Sequence, residues 1–489
     1  MRRAGMSLLD PTLWSGRIFT GLWHPATQTR EVINPATGER LGIAGLASTM
    51  DVTAAAEHAE QARGTWAQVA ASYRAALLRR AGDLFSEHQD AIVGWLVSES
   101  GSTQAKAKAE VAAAAQTCHE AAALANSPYG EVIRSGQPRL SLTRRIPAGV
   151  IGVITPFNMP LALAIRAVAP ALALGNAVLL KPDARTAVSG GVVLAQIFAA
   201  AGLRKGLLQV LAGDAAVGAA IIDHPLVRVV SFTGSPQAGR HVAERGGRLL
   251  KRVMLELGGN NALVVFDDTD IDRAVRAGAF SSFLHQGQVC MAAGRHLVHE
   301  SIYGEYVAKL AEFADSLIVG DPSHNDVALG PLIDVRQRDR VHHLVEASVK
   351  AGAKLVTGGT FDALFYRPTV LAEPAEPTEA YREEVFGPVA PVRAFSTVSE
   401  AAKLVADNET GLAVSILTAD VGKAMTLADR VPAGMVHIND PTIDHEPQAP
   451  FGGFGLSGNG WRAGGLSDLD AYTETQWLTI RPELAKVTL

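Results

Sequence analysis

Four short apolar segments alternate with helical segments between residues 150 and 240, and this alternation restricts the fold more than any other feature. The apolar segments are VIGVITP, NAVLLKP, GLLQVLAG and VRVVSFTG, and each predicts a buried strand that ends at Gly, Pro or Thr. Stretches such as AVSGGVVLAQIFAAAG and AAVGAAIIDHP lie between them. Buried strands joined by helical crossovers are typical of parallel sheets. The pattern therefore predicts an α/β fold with a nucleotide-binding type of domain.

Further segments with recognisable patterns flank this block. A second α/β block begins at LELGGNNALVVFDDTDID, where Asp270 is an expected helix N-cap, and continues to about Arg430. The Ala-rich stretch 52–124 has apolar residues at helical spacing and predicts helices. Residues 132–145 alternate and favour an extended arm or hairpin. The strand YTETQWLTI has no evident partner in the sequence, and such an apolar edge usually pairs, with another subunit as one candidate.

Length, charge and cysteine content exclude several classes of protein. A chain of 489 residues predicts two or three folded units. Lys and Arg number 44 against 49 Asp and Glu, so no basic field exists for nucleic acid, and we expect no nucleic-acid partner. The two cysteines, Cys118 and Cys290, cannot form a disulfide framework and suit a reducing compartment. The N-terminal segment lacks the apolar core of a signal peptide. We therefore expect a cytoplasmic protein.

The segment PLALAIRAVAPALALGNAVLL is long and apolar enough to resemble a membrane span. It contains Arg166, Pro170 and the Gly175-Asn176 pair. A charge, a helix breaker and a turn are costly in lipid but natural in a buried helix that turns into a strand. We therefore predict no membrane association. No metal site is predicted either.

Three residues are candidates for catalysis. Cys290 lies in HQGQVCMAAG, where a thiol is a possible nucleophile if its pKa is lowered or a base is near, although free cysteines are often buried and inert, as we expect of Cys118. Glu256 lies between apolar neighbours, which favours a raised pKa and a general base, but also fits a salt-bridged carboxylate. Asn158 follows a predicted strand, and its side-chain amide fits either an oxyanion donor or a helix cap. His285 precedes the thiol by five residues and fits either a Cys–His pair or a core histidine.

Candidates for nucleotide binding lie where strands end. The segment SFTGSPQAG places Gly234 and Ser235 at a strand-to-helix junction, where free amides can face a phosphate. Lys181 ends a strand at the edge of the sheet where ligands bind in open α/β folds, although a strand-end lysine is often only solvated. In REEVFGPV, Glu384 and Phe386 offer a carboxylate for ribose hydroxyls and an aromatic wall, or form a structural turn.

Taken in order, the segments TPFN, LLKP, FTGS, LELGGNN, GQVC and EEVFGP resemble the motifs of the aldehyde dehydrogenase superfamily, and with the late PFGG the match covers essentially the whole chain. The segments LLDPTLWSGRIFTGLW, LLKPDARTAVSGG and INDPTIDHEPQAPFGG are similar to those of benzaldehyde, vanillin and salicylaldehyde dehydrogenases. The resemblance implies a Rossmann-type cofactor domain of residues 1–127 and 147–257, an α/β catalytic domain of residues 258–452, and a β oligomerisation arm with the C-terminal segment, residues 128–146 and 453–489. Such an arm implies a homodimer or a homotetramer.

The resemblance also implies a mechanism. The Cys290 thiolate attacks an aldehyde, the Asn158 side chain and the Cys290 amide hold the oxyanion, hydride passes to a nicotinamide, and Glu256 activates the water that hydrolyses the thioester. The implied cofactor-binding residues are Thr155, Pro156, Phe157, Lys181, Gly234, Ser235, Leu257, Gly258, Glu384 and Phe386. The implied substrate-binding residues, lining a flat apolar tunnel for a small aromatic aldehyde, are Arg166, Met159, Leu163, Val289, Met291 and Ile443.

The chain departs from the superfamily pattern at two positions. Ala184 stands where many members have a Glu that binds the adenine ribose 2′-hydroxyl and repels a 2′-phosphate, and the adjacent Arg185 offers a partner for that phosphate. We therefore expect NAD as the cofactor, with NADP also accepted. Arg166 stands where many enzymes for aliphatic aldehydes have an aromatic residue; it contacts a substrate ring by cation–π interaction or makes a structural salt bridge.

Other functions fit parts of the sequence. A broad-specificity aliphatic aldehyde dehydrogenase has the same motifs. In a coenzyme-A-acylating enzyme a second thiol resolves the thioester, and the presence of Glu256 argues against it. A cysteine hydrolase using Cys290 and His285 needs no nicotinamide site, and it leaves Lys181 and Glu384 unexplained. A non-catalytic protein on the same scaffold leaves the three catalytic candidates unexplained.

Overall fold

The computed structural model describes residues 8–324, 327–373 and 378–485. The ends of the predicted domain ranges, residues 1–7 and 486–489, lie outside the described residues. In the described part the helices span Pro11–Trp14, Thr49–Trp66, Ala71–Glu87, Gln89–Ser100, Gln104–Leu124, Pro160–Ala173, Val193–Ala200, Ala215–Asp223, Pro236–Arg248, Ile271–Phe283, Glu300–Ser316, Val335–Lys350, Glu379–Arg382, Val398–Ala406, Val421–Ala428 and Ser467–Tyr472. They alternate with strands that form two large sheets, which confirms the predicted α/β class.

The first sheet has seven described strands and contains the four apolar segments that the sequence singled out. Its order across the sheet is Arg252–Leu257, Val227–Gly234, Val150–Ile154, Ala177–Lys181, Leu208–Val210, Arg17–Phe19 and Trp23–Pro25. The first five strands are mutually parallel, and the last two are antiparallel additions at one edge. Buried apolar side chains fill the strands and the crossover helices because both faces of the sheet are covered.

Register in this sheet brings the ends of several strands to one edge. Ile154 pairs with Lys181 on one side and with Phe232 on the other, and Gly234 pairs with Leu257. In a parallel sheet all carboxyl ends lie at the same edge, which is where ligands bind in open α/β folds. The segments that follow these strands carry most of the predicted site.

The apolar segment at 160–180 is a buried helix, a turn and a strand, as predicted. The helix Pro160–Ala173 buries every residue except Ala162. Gly175, at φ +91°, makes the turn into the strand Ala177–Lys181. Over the described ranges, no helix combines the length and apolar character that a membrane crossing requires.

The second sheet carries the other half of the site. In the described residues its order is Lys354–Thr357, Thr369–Ala372, Val389–Phe395, Ala293–His299, Asn261–Val265, Ala413–Leu417 and Met435–Ile438, and only the first strand is antiparallel to its neighbour. Asp270 caps the helix Ile271–Phe283, as predicted, by accepting hydrogen bonds from the amides of Asp272 and Arg273. Cys290 lies in the turn that leads from this helix into the strand Ala293–His299.

The C-terminal strand finds a partner within its own chain. Thr473–Ile480 pairs antiparallel with Leu140–Pro147, and Val132–Ile133 adds a short third strand. The hairpin predicted near residues 132–145 is therefore present, and it supplies the partner that the sequence did not identify. Thr473–Ile480 stays an edge strand of the described sheet, with Trp477 63% exposed. Two-stranded pairings join Gln28–Ile33 to Arg40–Leu46, Phe361–Asp362 to Phe365–Tyr366, and Thr410–Gly411 to Phe454–Gly455.

Candidate active site

A cleft of about 1240 Å³ lies between the two large sheets at the carboxyl edge of the first. It collects predicted residues that are far apart in sequence. Those that line it are Thr155, Pro156, Phe157, Asn158, Leu163, Lys181, Gly234, Ser235, Glu256, Gly258, Cys290, Glu384 and Phe386. The three catalytic candidates and the principal nucleotide-binding candidates therefore face one space.

Cys290 presents a partly exposed thiol to this cleft from a turn that is held in place by hydrogen bonds. The side-chain amide of Asn261 donates to the carbonyl oxygens of Cys290 and Ala292, at 2.8 Å each. Burial raises the pKa of the thiol to about 12, against the opposing charge of Arg166. Cys118 is fully buried in the helix Gln104–Leu124, away from the cleft. Cys290 is therefore the thiol that a molecule in the cleft can reach.

Asn158 is not a helix cap. The helix that follows has Met159 at its N-cap position, and Asn158 instead donates from its side-chain nitrogen to the carbonyl oxygen of Gln288, at 2.8 Å. This bond uses one of the two amide hydrogens and fixes the side chain beside the turn that carries Cys290. The second hydrogen remains available to an oxygen atom in the cleft, which is the arrangement that an oxyanion donor requires.

Glu256 is the penultimate residue of the strand Arg252–Leu257 and is 6% exposed. Burial raises the pKa of its carboxyl group to about 8, although the charges of Arg166 and Arg462 oppose the shift. Its Oε2 atom is buried without a hydrogen-bond partner. The salt-bridge alternative is therefore wrong for the described residues, and a carboxyl group with this pKa, once ionised, is basic enough to take a proton from water.

The nucleotide-binding candidates form the opposite part of the cleft. Lys181 lies at the end of its strand, and burial lowers the pKa of its ammonium group. The Glu384 carboxylate packs against Gly258, where any larger side chain would overlap it. Phe386, held at φ +54° by a turn, meets the ring of Phe157 edge to face at 5.9 Å between centroids. Leu257 differs from the rest, because its side chain packs on Gly239 instead of lining the cleft.

Unsatisfied polar atoms in this part of the cleft fit a nucleotide. Oε1 of Glu384 and Oγ1 of Thr155 are buried without hydrogen-bond partners, and ribose hydroxyls supply such partners. Ser235 caps the helix Pro236–Arg248 by accepting from the amide of Ala238, so the helix begins at the cleft with its free amides. The residues present therefore fit a dinucleotide.

The structure corrects the expectation for Arg185. Its guanidinium group donates to Asp183 at 2.8 and 3.0 Å and to Asp334 at 2.7 Å, and it stacks on the ring of Phe157 at 4.3 Å from the centroid. These contacts occupy three of the five N–H donors of the group and pair its charge with two carboxylates. Arg185 is a structural residue at the border of the cleft, whereas Ala184 itself carries no charge.

The predicted substrate residues gather on the other side of Cys290. Met159, Val289, Met291 and Ile443 belong to one apolar cluster with the thiol, and Phe451 completes it. Leu163 lines the cleft one helical turn beyond Met159. Arg166 lies farther along the same helix with its guanidinium carbon 4.3 Å from the centroid of the Phe451 ring. No salt bridge of Arg166 is present among the described residues, so the salt-bridge alternative is wrong for that part of the chain.

His285 does not form a pair with Cys290. It follows the end of the helix Ile271–Phe283 in a left-handed conformation, with φ +51°, and is 1% exposed. Burial and the charge of Lys106 lower the pKa of its ring well below the usual range. In the described structure no hydrogen bond joins the imidazole to the thiol. The geometry required for a cysteine hydrolase is therefore missing.

Sequence reasoning missed a buried ion pair beneath the site. Lys106 and Glu110 lie one turn apart in the helix Gln104–Leu124, with nitrogen and oxygen 2.5 Å apart. The Lys106 ammonium also donates to the carbonyl oxygen of Asn158, and Glu110 accepts from the amides of Leu161 and Ala162. An i,i+4 pair of opposite charges was visible in the sequence, but its burial was not, because helical pairs of this kind usually face solvent.

Fold and site together define a two-sheet α/β protein in which a cysteine thiol, a side-chain amide and a buried carboxyl group line one cleft at the carboxyl edge of a parallel sheet. The chain belongs to the aldehyde dehydrogenase family, whose sequence model matches residues 23–478. It is 55% identical to a vanillin dehydrogenase from an Amycolatopsis species, over 98% of this chain and 99% of that protein, and 46% identical to a benzaldehyde dehydrogenase [NAD(+)] from Pseudomonas putida, over 96% and 97%. This chain also aligns with the crystal structure of a salicylaldehyde dehydrogenase from Pseudomonas putida G7 complexed with salicylaldehyde. The TM-score is 0.94 and the sequence identity 33%, and the alignment covers 97% of this chain and 99% of that one. The resemblance inferred from the motifs is confirmed.

Proposed function

We propose that this enzyme oxidises small aromatic aldehydes to carboxylic acids, with NAD as the electron acceptor. One observation carries the proposal: Cys290, Glu256 and Asn158 line the same cleft as Lys181 and Glu384. The names of the relatives support the aromatic class, since they act on vanillin, benzaldehyde and salicylaldehyde. The apolar cluster around Cys290 supports it as well, because an apolar wall suits an aromatic ring.

The residues act in the following order. The Cys290 thiol loses its proton to solvent, and the thiolate sulfur bonds to the aldehyde carbon. The second amide hydrogen of Asn158 and the backbone amide of Cys290 stabilise the oxyanion, at about 3 to 4 kcal/mol for a donor of this kind. Bound nicotinamide supplies the acceptor for the hydride that leaves the same carbon. Glu256 then takes a proton from water as that water attacks the thioester, which releases the acid and restores the thiol. Aldehyde, water and NAD are consumed, and acid, NADH and a proton are formed.

The nucleotide is assigned to the edge of the first sheet. Lys181 and Glu384 hold ribose hydroxyls, Phe386 and Phe157 enclose the nicotinamide side, and Gly234, Ser235 and the following helix start take the pyrophosphate. Thr155, Pro156 and Gly258 complete this wall, and Leu257 supports it through its contact with Gly239. NADP is accepted more weakly than NAD, because Ala184 brings no repelling carboxylate but Arg185 is already paired.

The remaining substrate residues and the assembly belong to the same proposal. Met159, Leu163, Val289, Met291, Ile443 and Arg166 line the path of the aldehyde ring. Residues 1–127 and 147–257 form the cofactor domain, 258–452 the catalytic domain, and 128–146 with 453–489 the arm and C-terminal segment. The exposed edge of Thr473–Ile480, with apolar Trp477 and Ile480 at the surface, joins a second copy in a homodimer or homotetramer. The two unpaired cysteines support a cytoplasmic location.

The test compares the two cysteines. Wild type, Cys290→Ala and Cys118→Ala are assayed by NADH formation with benzaldehyde and with a short aliphatic aldehyde, in the presence of NAD or NADP, with and without coenzyme A. We expect Cys118→Ala to retain activity and Cys290→Ala to lose it while still binding NAD, because only the second thiol faces the cleft. Comparable turnover by the two variants, a dependence on coenzyme A, or a preference for the aliphatic aldehyde contradicts the proposal. Light scattering of the purified protein tests the assembly, and a monomer contradicts it.

A further inference from the structure

A second cavity, of about 280 Å³, lies beside the path assigned to the aldehyde ring. Arg166 and Asp468 line it, together with Glu120 and apolar residues of neighbouring segments. Leu163 lines the catalytic cleft and Arg166 lines the second cavity, and the two residues are three positions apart on one helix, about 4.5 Å along its axis. Phe451 contacts residues of both spaces, because its side chain belongs to the apolar cluster around Cys290 and its ring stacks against the guanidinium group of Arg166.

The guanidinium group of Arg166 lacks the acceptors that a buried arginine normally has. The residue is 7% exposed, and one face of the group rests on Phe451. Its five N–H donors lie in the plane of the group, so stacking does not satisfy them. Among the described residues, Arg166 makes no side-chain hydrogen bond and no salt bridge with a carboxylate within 4.0 Å. The Arg166 side chain borders the cavity, so its donors are open to an acceptor that enters this space.

Charges around the cavity favour a hydroxyl group over a second carboxylate. Asp468 is 6% exposed and its Oδ1 atom accepts a hydrogen bond from the amide of Gly464 at 3.1 Å, whereas its Oδ2 atom has no hydrogen bond among the described residues. Glu120 adds a second acidic group to the wall. An incoming carboxylate meets one cation and two acidic groups, whereas a hydroxyl accepts from Arg166 and donates to Asp468.

We propose that Arg166 and Asp468 form a subsite for a hydroxyl group on the aromatic ring, so that the enzyme selects hydroxylated benzaldehydes over unsubstituted or alkylated ones. This inference rests on the proposed function. It differs from a cation–π contact between Arg166 and the substrate ring, because it uses the edge of the guanidinium group and not its face. A ring hydroxyl that enters the cavity satisfies donors and an acceptor that the protein itself leaves open.

Matched substrate pairs test the proposal. The kcat/KM values of 3- and 4-hydroxybenzaldehyde are each divided by that of the corresponding methylbenzaldehyde, which has similar size but no hydrogen-bonding group. A hydrogen bond to a charged group predicts a hydroxyl-to-methyl ratio of about tenfold or more for at least one ring position in wild type. In Arg166→Met we expect this ratio to fall toward one. Arg166 also influences the pKa values of Glu256 and Cys290, and the ratio cancels such effects because both aldehydes meet the same catalytic groups.

Arg462→Met is the matched control. The charge of Arg462 also acts on Glu256, but its guanidinium group donates to the carbonyl oxygens of Gly453 and Trp461 and does not line the cavity. Its hydroxyl-to-methyl ratio is expected to match that of wild type. If Arg166→Met fails to fold, Arg166→Lys and the wild-type ratio still decide the question.

Three outcomes overturn the inference. They are a wild-type ratio near one at both ring positions, an unchanged ratio in a folded Arg166 variant, or faster turnover of 4-carboxybenzaldehyde than of the hydroxyl compounds. In each case oxidation of benzaldehyde by the same preparation leaves the proposed function intact. Absence of NAD-dependent oxidation of any aldehyde contradicts the proposed function itself.

Discussion

Replacing Lys106 with methionine removes one partner of the ion pair that contacts Asn158 and the start of the helix Pro160–Ala173. The ammonium group of Lys106 donates to Glu110 at 2.5 Å, to Ser102 at 2.9 Å and to the Asn158 carbonyl oxygen at 2.9 Å. The side chains of Lys106 and Glu110 are 3% and 2% exposed. Removing one partner of a buried pair leaves an uncompensated charge and costs about 3 to 5 kcal/mol. We expect Lys106→Met to lower the free energy of unfolding by that amount.

Two further variants separate the charge from the helix start. Glu110 also accepts hydrogen bonds from the amides of Leu161 and Ala162, at 2.9 and 3.1 Å. Glutamine at position 110 keeps an oxygen for those amides, so the double variant Lys106→Met/Glu110→Gln removes both charges without leaving the helix start unsatisfied. We expect the double variant to recover most of the stability that the single variant loses.

Denaturant unfolding of the three variants and wild type, at one protein concentration, measures the effect. Lys108→Met serves as the control, because Lys108 lies two residues farther along the same helix with an exposed side chain. Exchange protection of the Leu161 and Ala162 amides reports the local consequence, and we expect faster exchange in Lys106→Met. A loss of stability in Lys106→Met no larger than that in Lys108→Met refutes the reasoning that the buried charge governs this region.

The remaining predictions concern the chemistry and the cofactor. In Glu256→Gln the thioester forms but is not hydrolysed, so rapid mixing should show a burst of NADH, at most stoichiometric with active sites, before a slow steady state, and loss of the burst means that Glu256 acts in acylation. In wild type kcat should rise as pH rises through about 8, because the Glu256 carboxyl group must be ionised to take a proton, and a flat profile up to that pH contradicts this. Ala184→Glu should lower kcat/KM with NADP far more than with NAD, and equal losses show that residue 184 does not border the ribose.

Much of the fold was predictable because its signals are local. Each parallel strand of the first sheet is a short apolar run with a turn residue at its end, and a run of this kind has few alternatives once helices separate the runs. The positions of Lys181, Gly234 and Glu256 at the cleft follow from the same pattern, since each lies at the carboxyl end of a parallel strand. The same apolar runs therefore predict both the strands of the sheet and the edge at which the site lies.

Contacts between distant segments were not predictable from local patterns. The partner of Asn158 is Gln288, 130 residues away, and the partner of the C-terminal strand is the hairpin more than 320 residues earlier. The contact of Arg166 with Phe451 likewise joins two segments whose separate sequences carry no mark of it. Such pairs depend on how whole elements pack, and propensity or periodicity within one segment contains no information about them.

Cofactor choice shows how one such contact changes a conclusion. From the sequence, Arg185 beside the uncharged Ala184 offered a site for a 2′-phosphate. In the structure Asp183 and Asp334 pair with Arg185, while Lys181 and Arg336 are further cations at this corner. The two carboxylates offset part of the attraction of Arg185 for an additional phosphate, whose own charge is close to −2 at neutral pH. Under the proposed function, the absence of a carboxylate at position 184 therefore permits NADP to bind, and the proposed preference for NAD rests on the pairing of Arg185 with Asp183 and Asp334.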